Sequence, residues 1–405
     1  MITPKLVATG RLNPKSGGGG LDATPLAIYV HWPWCKAKCP YCDFNSHVAT
    51  TIPEIDYVNS IIQELKSYSK IISEHTLTSI FFGGGTPSLM QPASIEKILQ
   101  TIDDLIQIQP NTEITLEANP TSCEGARLGD FIQAGVNRLS IGVQGLEAKN
   151  LALLGRQHSP AEAIQVVEKA LKYCLNVNLD LIYGLPEQDL STWRHQLNWA
   201  CQIGTTHLSA YQLTIEENTK FFSMLKRGQL NPIGPDAERE FYDCTNEVMD
   251  LNGFTHYEIS NYARPGYVCQ HNTHVWQYHP YVGVGAGAHG RILLENNILA
   301  STHNKKLPAQ YMADIACGKF SWQTAQPLSS AEIAVENLLM SLRLPVGLNL
   351  KRAEKLLGKP IHSYLNQIEL KRLQQLGMIT DGPTHLAVPQ PHWPLLDSIL
   401  FALNK

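Results

Sequence analysis

Three cysteines stand close together in HWPWCKAKCPYCDF: Cys35, Cys39 and Cys42, spelling CxxxCxxC. In a chain with nine cysteines, an odd number and otherwise scattered, this clustering reads as metal binding and the other six as small core residues. Three thiolates from one loop do not close a tetrahedral zinc shell, and no fourth ligand stands at finger spacing, although a distant His or Cys would supply one. An iron–sulfur cubane suits the count better. A [4Fe-4S] cluster held by three thiolates keeps one iron open to an outside ligand, and thiolate ligation gives the low potentials that reductive chemistry needs. Trp32, Trp34, Tyr41 and Phe44 surround the loop and are expected to shield such a cluster from water and oxygen.

Other polar residues fall where a packed core would place apolar ones. GGGT at Gly83 to Thr86 follows an apolar β-rich run and either makes a tight loop or lets backbone approach a ligand closely. Glu117, Gln144 and Asp180 each stand at or near the end of a similar run. Each is either a ligand-facing group or a rim cap or salt bridge. Arg156 in LGRQH offers a guanidinium for a carboxylate.

These groups need elements to position them. Short β-rich runs at Ala27–His31, Ser79–Phe82, Glu113–Glu117, Arg138–Val143, Asn176–Ile182 and His207–Leu213 alternate with segments of helical period. One helix is expected to carry Ile55, Val58, Ile61, Ile62 and Leu65 on an apolar face, and another Ile95, Ile98, Leu99, Ile102, Leu105 and Ile106. Alternation of this kind predicts an α/β fold with a parallel sheet, curled into a partial barrel or lying open. Ligands then gather beyond the carboxyl ends of the strands, where the polar breaks fall.

The 405 residues predict several units: a loose tail over 1–24 containing Gly17 to Gly20, a barrel over 25–230, an extension over 231–325, and a mostly helical C-terminal unit over 326–405. The last combines helices with a hairpin in MITDGPTHLAVP and resembles a winged helix. Its lysines and arginines read as solvated helix charges. With 32 basic against 36 acidic side chains there is no general pull toward nucleic acid. No apolar run is long enough for a membrane span or signal peptide, so a cytoplasmic chain is expected.

CxxxCxxC after the first strand, with an aromatic before the last Cys, resembles the radical S-adenosylmethionine (SAM) superfamily. YVHWPWC, FFGGGTPS, LEANP, RLSIGVQ, LGRQH, DLIYGLPEQ, HLSAYQLTIEENT, YEISNYARPG, YVGVGAGAH and ENLLMSLRL further resemble the oxygen-independent coproporphyrinogen III oxidase family, from about residue 26 to the C-terminus. That family has two branches. The oxidases have a fourth cysteine two residues beyond the third and a longer N-terminal arm. Here Phe44 occupies that position and about 28 residues precede the first strand, as in the HemW-type heme chaperones.

The resemblance implies a radical SAM partial (β/α)6 barrel with a C-terminal helical domain, carrying a [4Fe-4S] cluster and SAM. Cys35, Cys39 and Cys42 would hold the cluster. Gly84, Gly85 and Thr86 would meet the methionyl amino group, Arg156 its carboxylate, and Glu117, Asp180 and Gln144 the ribose side, with Tyr29 as an adenine-side contact or simple packing. It also implies heme as cargo, delivered to hemoproteins, membrane-associated acceptors included. Oxidative decarboxylation of coproporphyrinogen III is the alternative activity.

Six histidines fall between 256 and 303. His271 with Asn272 matches the HN motif that the chaperone resemblance links to heme, with Val275 where Tyr is usual. His271 ranks first as an axial ligand, ahead of His274 and Cys269, against the alternative of a hydrogen-bonded structural histidine. GVGAGAHG lacks the GxGxxG spacing and does not open a βαβ unit, so no nicotinamide site is expected.

Overall fold

The computed structural model describes residues 24–404, so the tail expected over 1–24 lies outside the described residues except for Thr24. Six strands rich in β-branched and apolar residues follow one another: β1 (Pro25–Trp32), β2 (Thr76–Gly84), β3 (Glu113–Ala118), β4 (Arg138–Gln144), β5 (Val177–Tyr183) and β6 (His207–Gln212). Each is parallel to the next and lies beside it, as alternating crossover helices require.

The sheet extends at both margins. Past residue 213 the chain forms further strands of three to five residues, too short for a periodic signal. On the β6 side, β8 (Asn261–Ala263) pairs antiparallel with β6, and β7 (Thr255–Glu258) pairs antiparallel with β8. On the other side, β9 (Tyr281–Val284) is a seventh parallel strand, in register with Ala27 to Val30 of β1. The antiparallel strands β10 (His289–Leu293), β11 (Leu299–His303) and β12 (Gln326–Pro327) complete a twelve-stranded open sheet.

Helices cover the outer face. In α1 (Glu54–Ser67) the buried stripe is Tyr57, Val58, Ile61 and Leu65. Ile55, expected on that stripe, is 76% exposed; it lies two positions from Tyr57, about 200° round the helix. In α2 (Pro92–Leu105), Ile95, Ile98, Leu99 and Ile102 are buried as expected, while Ile106 falls just beyond the helix in extended backbone. α3 (Ser122–Gln133), α4 (Pro160–Tyr173), α5 (Leu190–Gln202) and α6 (Pro235–Leu251) continue the series. α4 begins in a capping box between Ser159 and Glu162, with Pro160 at the first helical position. α7 (Gln270–Trp276) packs against β2.

Glu64 of α1 is fully buried and joins the sheet extension to the helical layer. It accepts from Gly285 N at 3.0 Å, Asn304 Nδ2 at 2.8 Å, Tyr311 Oη at 2.8 Å and Ser321 Oγ at 3.3 Å. Burial pushes its carboxyl up to about 7 against these donors.

A second hydrophobic core, including Leu342, Leu348, Leu386, Trp393 and Ile399, belongs to the C-terminal segment. Its helices span Ser330–Ser341, Leu350–Leu357, Gln367–Gln375 and Leu396–Leu403, and Thr380–Asp381 pairs antiparallel with His385–Ala387 as the expected hairpin. Arg291 clamps Glu336 with two hydrogen bonds of 2.9 and 2.7 Å, and Arg343 reaches buried Glu258 at 3.1 Å. These tie the segment to the sheet. No helix among the described residues is long and apolar enough to cross a membrane.

Candidate cofactor site

The three clustered cysteines lie on the loop leaving β1, at the carboxyl end of the parallel strands. Trp34–Cys35 makes a two-residue parallel pair with His47–Val48, which returns the loop to its start. Within it the Cys42 N–H donates to Cys39 O at 3.2 Å. All three thiols are half-buried, and burial raises the pKa of Cys35 and Cys42. Trp32 and Trp34 are almost wholly buried beneath the loop, edge to face at 4.8 Å. Phe44, expected in the shield, is 59% exposed instead.

The GGGT segment closes over this loop. Gly85 N donates to Trp32 O at 2.7 Å and Thr86 N to Trp34 O at 2.8 Å. The Thr86 hydroxyl donates to Cys35 Sγ at 3.4 Å and accepts from Asn119 Nδ2 at 3.0 Å. Gly84 has φ of +111°, and a Cβ there would lie 2.4 Å from the His31 ring; a Cβ on Gly85 would lie 2.6 Å from Trp34 O. Only glycine fits at either position.

Arg156 reaches the same place from the loop before α4. One guanidinium nitrogen donates to Cys39 Sγ at 3.7 Å, and the other to Asn119 Oδ1 at 2.5 Å and Gly142 O at 2.7 Å. Its buried Nε has no partner. Gln144 ends β4 with φ of +65°, a conformation that side-chain-bearing residues rarely adopt and that is retained mainly where function requires it. Glu117 Oε2 accepts the Gly84 N–H at 3.1 Å, and burial followed by the Asp180 charge pushes its carboxyl up to about 8.

Asp180 sits one layer deeper, where it accepts from Ser140 Oγ at 3.0 Å and Asn178 Nδ2 at 2.8 Å. The network continues from Asn178 Oδ1 to His207 Nδ1 at 2.6 Å, and from His207 Nε2 to Tyr257 Oη at 2.7 Å. Tyr29 lines the same interior, its hydroxyl 2.9 Å from His31 Nδ1. Asn119, Ser140 and Asn178 join the site without being expected there. A signal existed: Arg138, Ser140, Gly142 and Gln144 alternate along β4, as do Asn178 and Asp180 along β5, so each polar set shares one face.

His271 lies toward the amino end of the strands, its ring centroid 6.4 Å from that of Tyr29. The backbone N–H groups of Gln270 and His271 donate to Glu113, the first residue of β3, at 3.1 and 3.0 Å. The His271 ring is 7% exposed, 3.0 Å from Ser79 Oγ through Nδ1, and stacked on Phe81 at 4.8 Å. Burial pulls its pKa down to about 3, so the ring is neutral. His274 is held between Thr78 Oγ1 at 3.0 Å and Pro280 O at 2.7 Å, and Cys269 Sγ contacts Glu113 at 3.4 Å.

The residues present fit an iron–sulfur cluster with an organic ligand beside it. Among the described residues no three His, Cys, Asp or Glu side chains converge on a single-ion position. A cluster bound there supplies an open iron. Around it the chain offers backbone amides at a glycine turn, a guanidinium with an unpaired buried N–H, and two carboxyls.

Comparison with known proteins agrees with this fold. A model of the radical SAM superfamily matches residues 29–200, and one of the HemN C-terminal domain matches 328–395. The heme chaperone HemW of Escherichia coli K12 is 39% identical over 292 residues, covering 71% of this chain and 76% of the relative. Heme chaperone HemW of Bacillus subtilis is 31% identical over 356 residues, covering 87% and 92%. The bovine mitochondrial radical S-adenosyl methionine domain-containing protein 1 is 34% identical over 388 residues, covering 93% and 87%. Among solved structures, the coproporphyrinogen III oxidase HemN from Escherichia coli superposes with a TM-score of 0.77 at 19% identity, over 95% of this chain and 91% of that one, a likeness of fold alone. The chain belongs to the radical SAM superfamily and, within it, to the HemW branch of the family that also contains the oxygen-independent coproporphyrinogen III oxidases.

Proposed function

We propose that the chain is a cytoplasmic heme chaperone, which binds heme and passes it to hemoproteins while Cys35, Cys39 and Cys42 hold a [4Fe-4S] cluster and SAM occupies the adjoining pocket. The observation that carries this reading is the cysteine loop itself: Phe44 stands 59% exposed at the position where the oxidase resemblance calls for a fourth cysteine. Relatives named as heme chaperones, similar over most of their length, support it.

In this reading Gly84 and Gly85 bring main chain against the ligand, Arg156 neutralises its carboxylate, and Glu117 with Gln144 faces its ribose. The buried tryptophans keep water from the cluster. Asp180 orients the interior through Ser140 and Asn178, and Tyr29 lies beside the adenine. His271 is the interior imidazole for heme, reached only when α7 moves, because the ring is enclosed by Ser79 and Phe81.

The test uses anaerobically reconstituted protein. Hemin should give a Soret band that is diminished and shifted in His271→Ala, and the loaded chain should transfer heme to a heme-free acceptor. Conversion of coproporphyrinogen III to protoporphyrinogen IX with SAM and reductant would replace this reading with the oxidase.

A further inference from the structure

The sheet extension brings two imidazoles together on the surface. β10 and β11 pair with His289 directly opposite His303, and the rings stack with centroids 3.9 Å apart and planes inclined by 19°. Both residues are exposed, and neither ring has a hydrogen-bond partner among the described residues. Free imidazole nitrogens at an exposed position are open to metal coordination, in contrast to His271.

Neighbouring segments carry large apolar side chains in the open. Phe44, Val48 and Leu307 are 59%, 58% and 51% exposed. Asn45 locks their two segments together: its amide donates to Ala286 O and to Lys306 O, each at 2.9 Å. His47 adds a contact of 3.3 Å to Lys306 O, and Asn304 N donates to Ala288 O at 2.9 Å. Segments 44–48, 285–289 and 303–307 are therefore held together, beginning two residues past Cys42, with His289, His303, Lys305 and Lys306 exposed among them. Lys306 lies close enough to act electrostatically on both imidazoles, and Lys305 on His303.

Exposed apolar side chains in one patch mark an interaction site, and this patch adds metal-ligating rings and cations to them. We propose that it is the surface on which the chain first takes up an iron porphyrin. One imidazole of the His289–His303 pair takes the iron, Phe44, Val48 and Leu307 lie against the macrocycle, and Lys305 and Lys306 pair with the propionates. The proposal rests on the heme-chaperone reading and adds to it where uptake begins. Face-to-face rings cannot both aim a nitrogen at one iron from opposite sides, so one ring binds and the other stands in when the first is removed.

Stopped-flow absorbance of the reconstituted full chain mixed with hemin tests it. His289→Ala/His303→Ala should slow the first phase of hemin uptake at least tenfold, each single substitution should retain most of the rate, and Lys305→Glu/Lys306→Glu should slow it several-fold. His195→Ala, which removes an exposed histidine from α5, should leave the rate unchanged. An unaltered first phase in the double histidine variant overturns the proposal, as does equal slowing by His195→Ala, which would mark uptake as incidental. Failure of the unsubstituted chain to bind hemin at all would instead remove the chaperone reading beneath it.

Discussion

The Gly84 N–H donates to the Glu117 carboxyl across 3.1 Å, bridging the carboxyl ends of β2 and β3. Burial, then the nearby Asp180 charge, raises Glu117 from 4.5 to about 8. The folded chain therefore keeps a proton that the unfolded chain releases between those values. The associated stability is complete below about pH 4.5 and is lost as pH rises through about 8. Thermal unfolding of cluster-free protein should shift to lower temperature between pH 5.5 and 8.5, and Glu117→Gln should shrink that shift, with Glu64 contributing a remainder. An identical shift in the variant would contradict the assignment.

Gly84→Ala tests the close approach at the glycine turn. Its new methyl would meet the His31 ring, which is fixed by Tyr29 Oη and Asn45 O at 2.9 Å each, at a backbone φ of +111°. Strain of this kind costs about 1–3 kcal/mol before the clash is counted. Chemical denaturation should show at least about 2 kcal/mol of lost stability, and iron bound per chain after reconstitution should fall.

Arg156→Ala removes the guanidinium that touches Cys39, Asn119 and Gly142. A charge-assisted hydrogen bond contributes about 1.5–3 kcal/mol. SAM affinity, measured by equilibrium dialysis against reconstituted protein, should weaken tenfold or more, and Arg156→Lys should restore only part because a point charge does not reproduce the planar fork. Full affinity in the alanine variant would remove Arg156 from the ligand site.

Glu64→Ala should be among the most damaging single changes, because it strands the buried Gly285 N–H and Tyr311 hydroxyl and takes one acceptor from Asn304 and from Ser321, which keep Gly285 O and Tyr68 Oη. Unsatisfied buried groups cost about 1–3 kcal/mol each before relaxation. Urea unfolding should register a loss of roughly 3 kcal/mol or more, with Glu64→Gln milder.

The six parallel strands and the C-terminal helices were legible because each spans enough residues to show a period, and turn residues mark its ends. The cysteine loop and the GGGT turn were legible because their chemistry is concentrated in a few adjacent residues. The sheet margins were not: β7 and β8 are four and three residues long, and pairing across loops leaves no local mark. Ile55 shows the limit of counting apolar residues, since Tyr57 takes the inward position of the first turn and leaves Ile55 in solvent. The seating of Asp180 depends on Ser140 and Asn178, partners that adjacency in sequence does not reveal. The surroundings of His271 likewise come from β2 and β3, some 150 residues or more earlier in the chain.

A long open sheet invites polymerisation, because a bare outer strand is a template for another chain. Here each terminal strand is blunted. β12 is two residues long and ends in Pro327, which has no N–H to offer. At the opposite rim, Gln390 from the C-terminal segment donates its amide to the His256 carbonyl at 2.7 Å, and Trp393 packs edge-on against the His256 ring at 4.7 Å. The C-terminal segment thus covers this rim strand, and its deletion should raise the mass measured by light scattering as the bared strand pairs with a second chain.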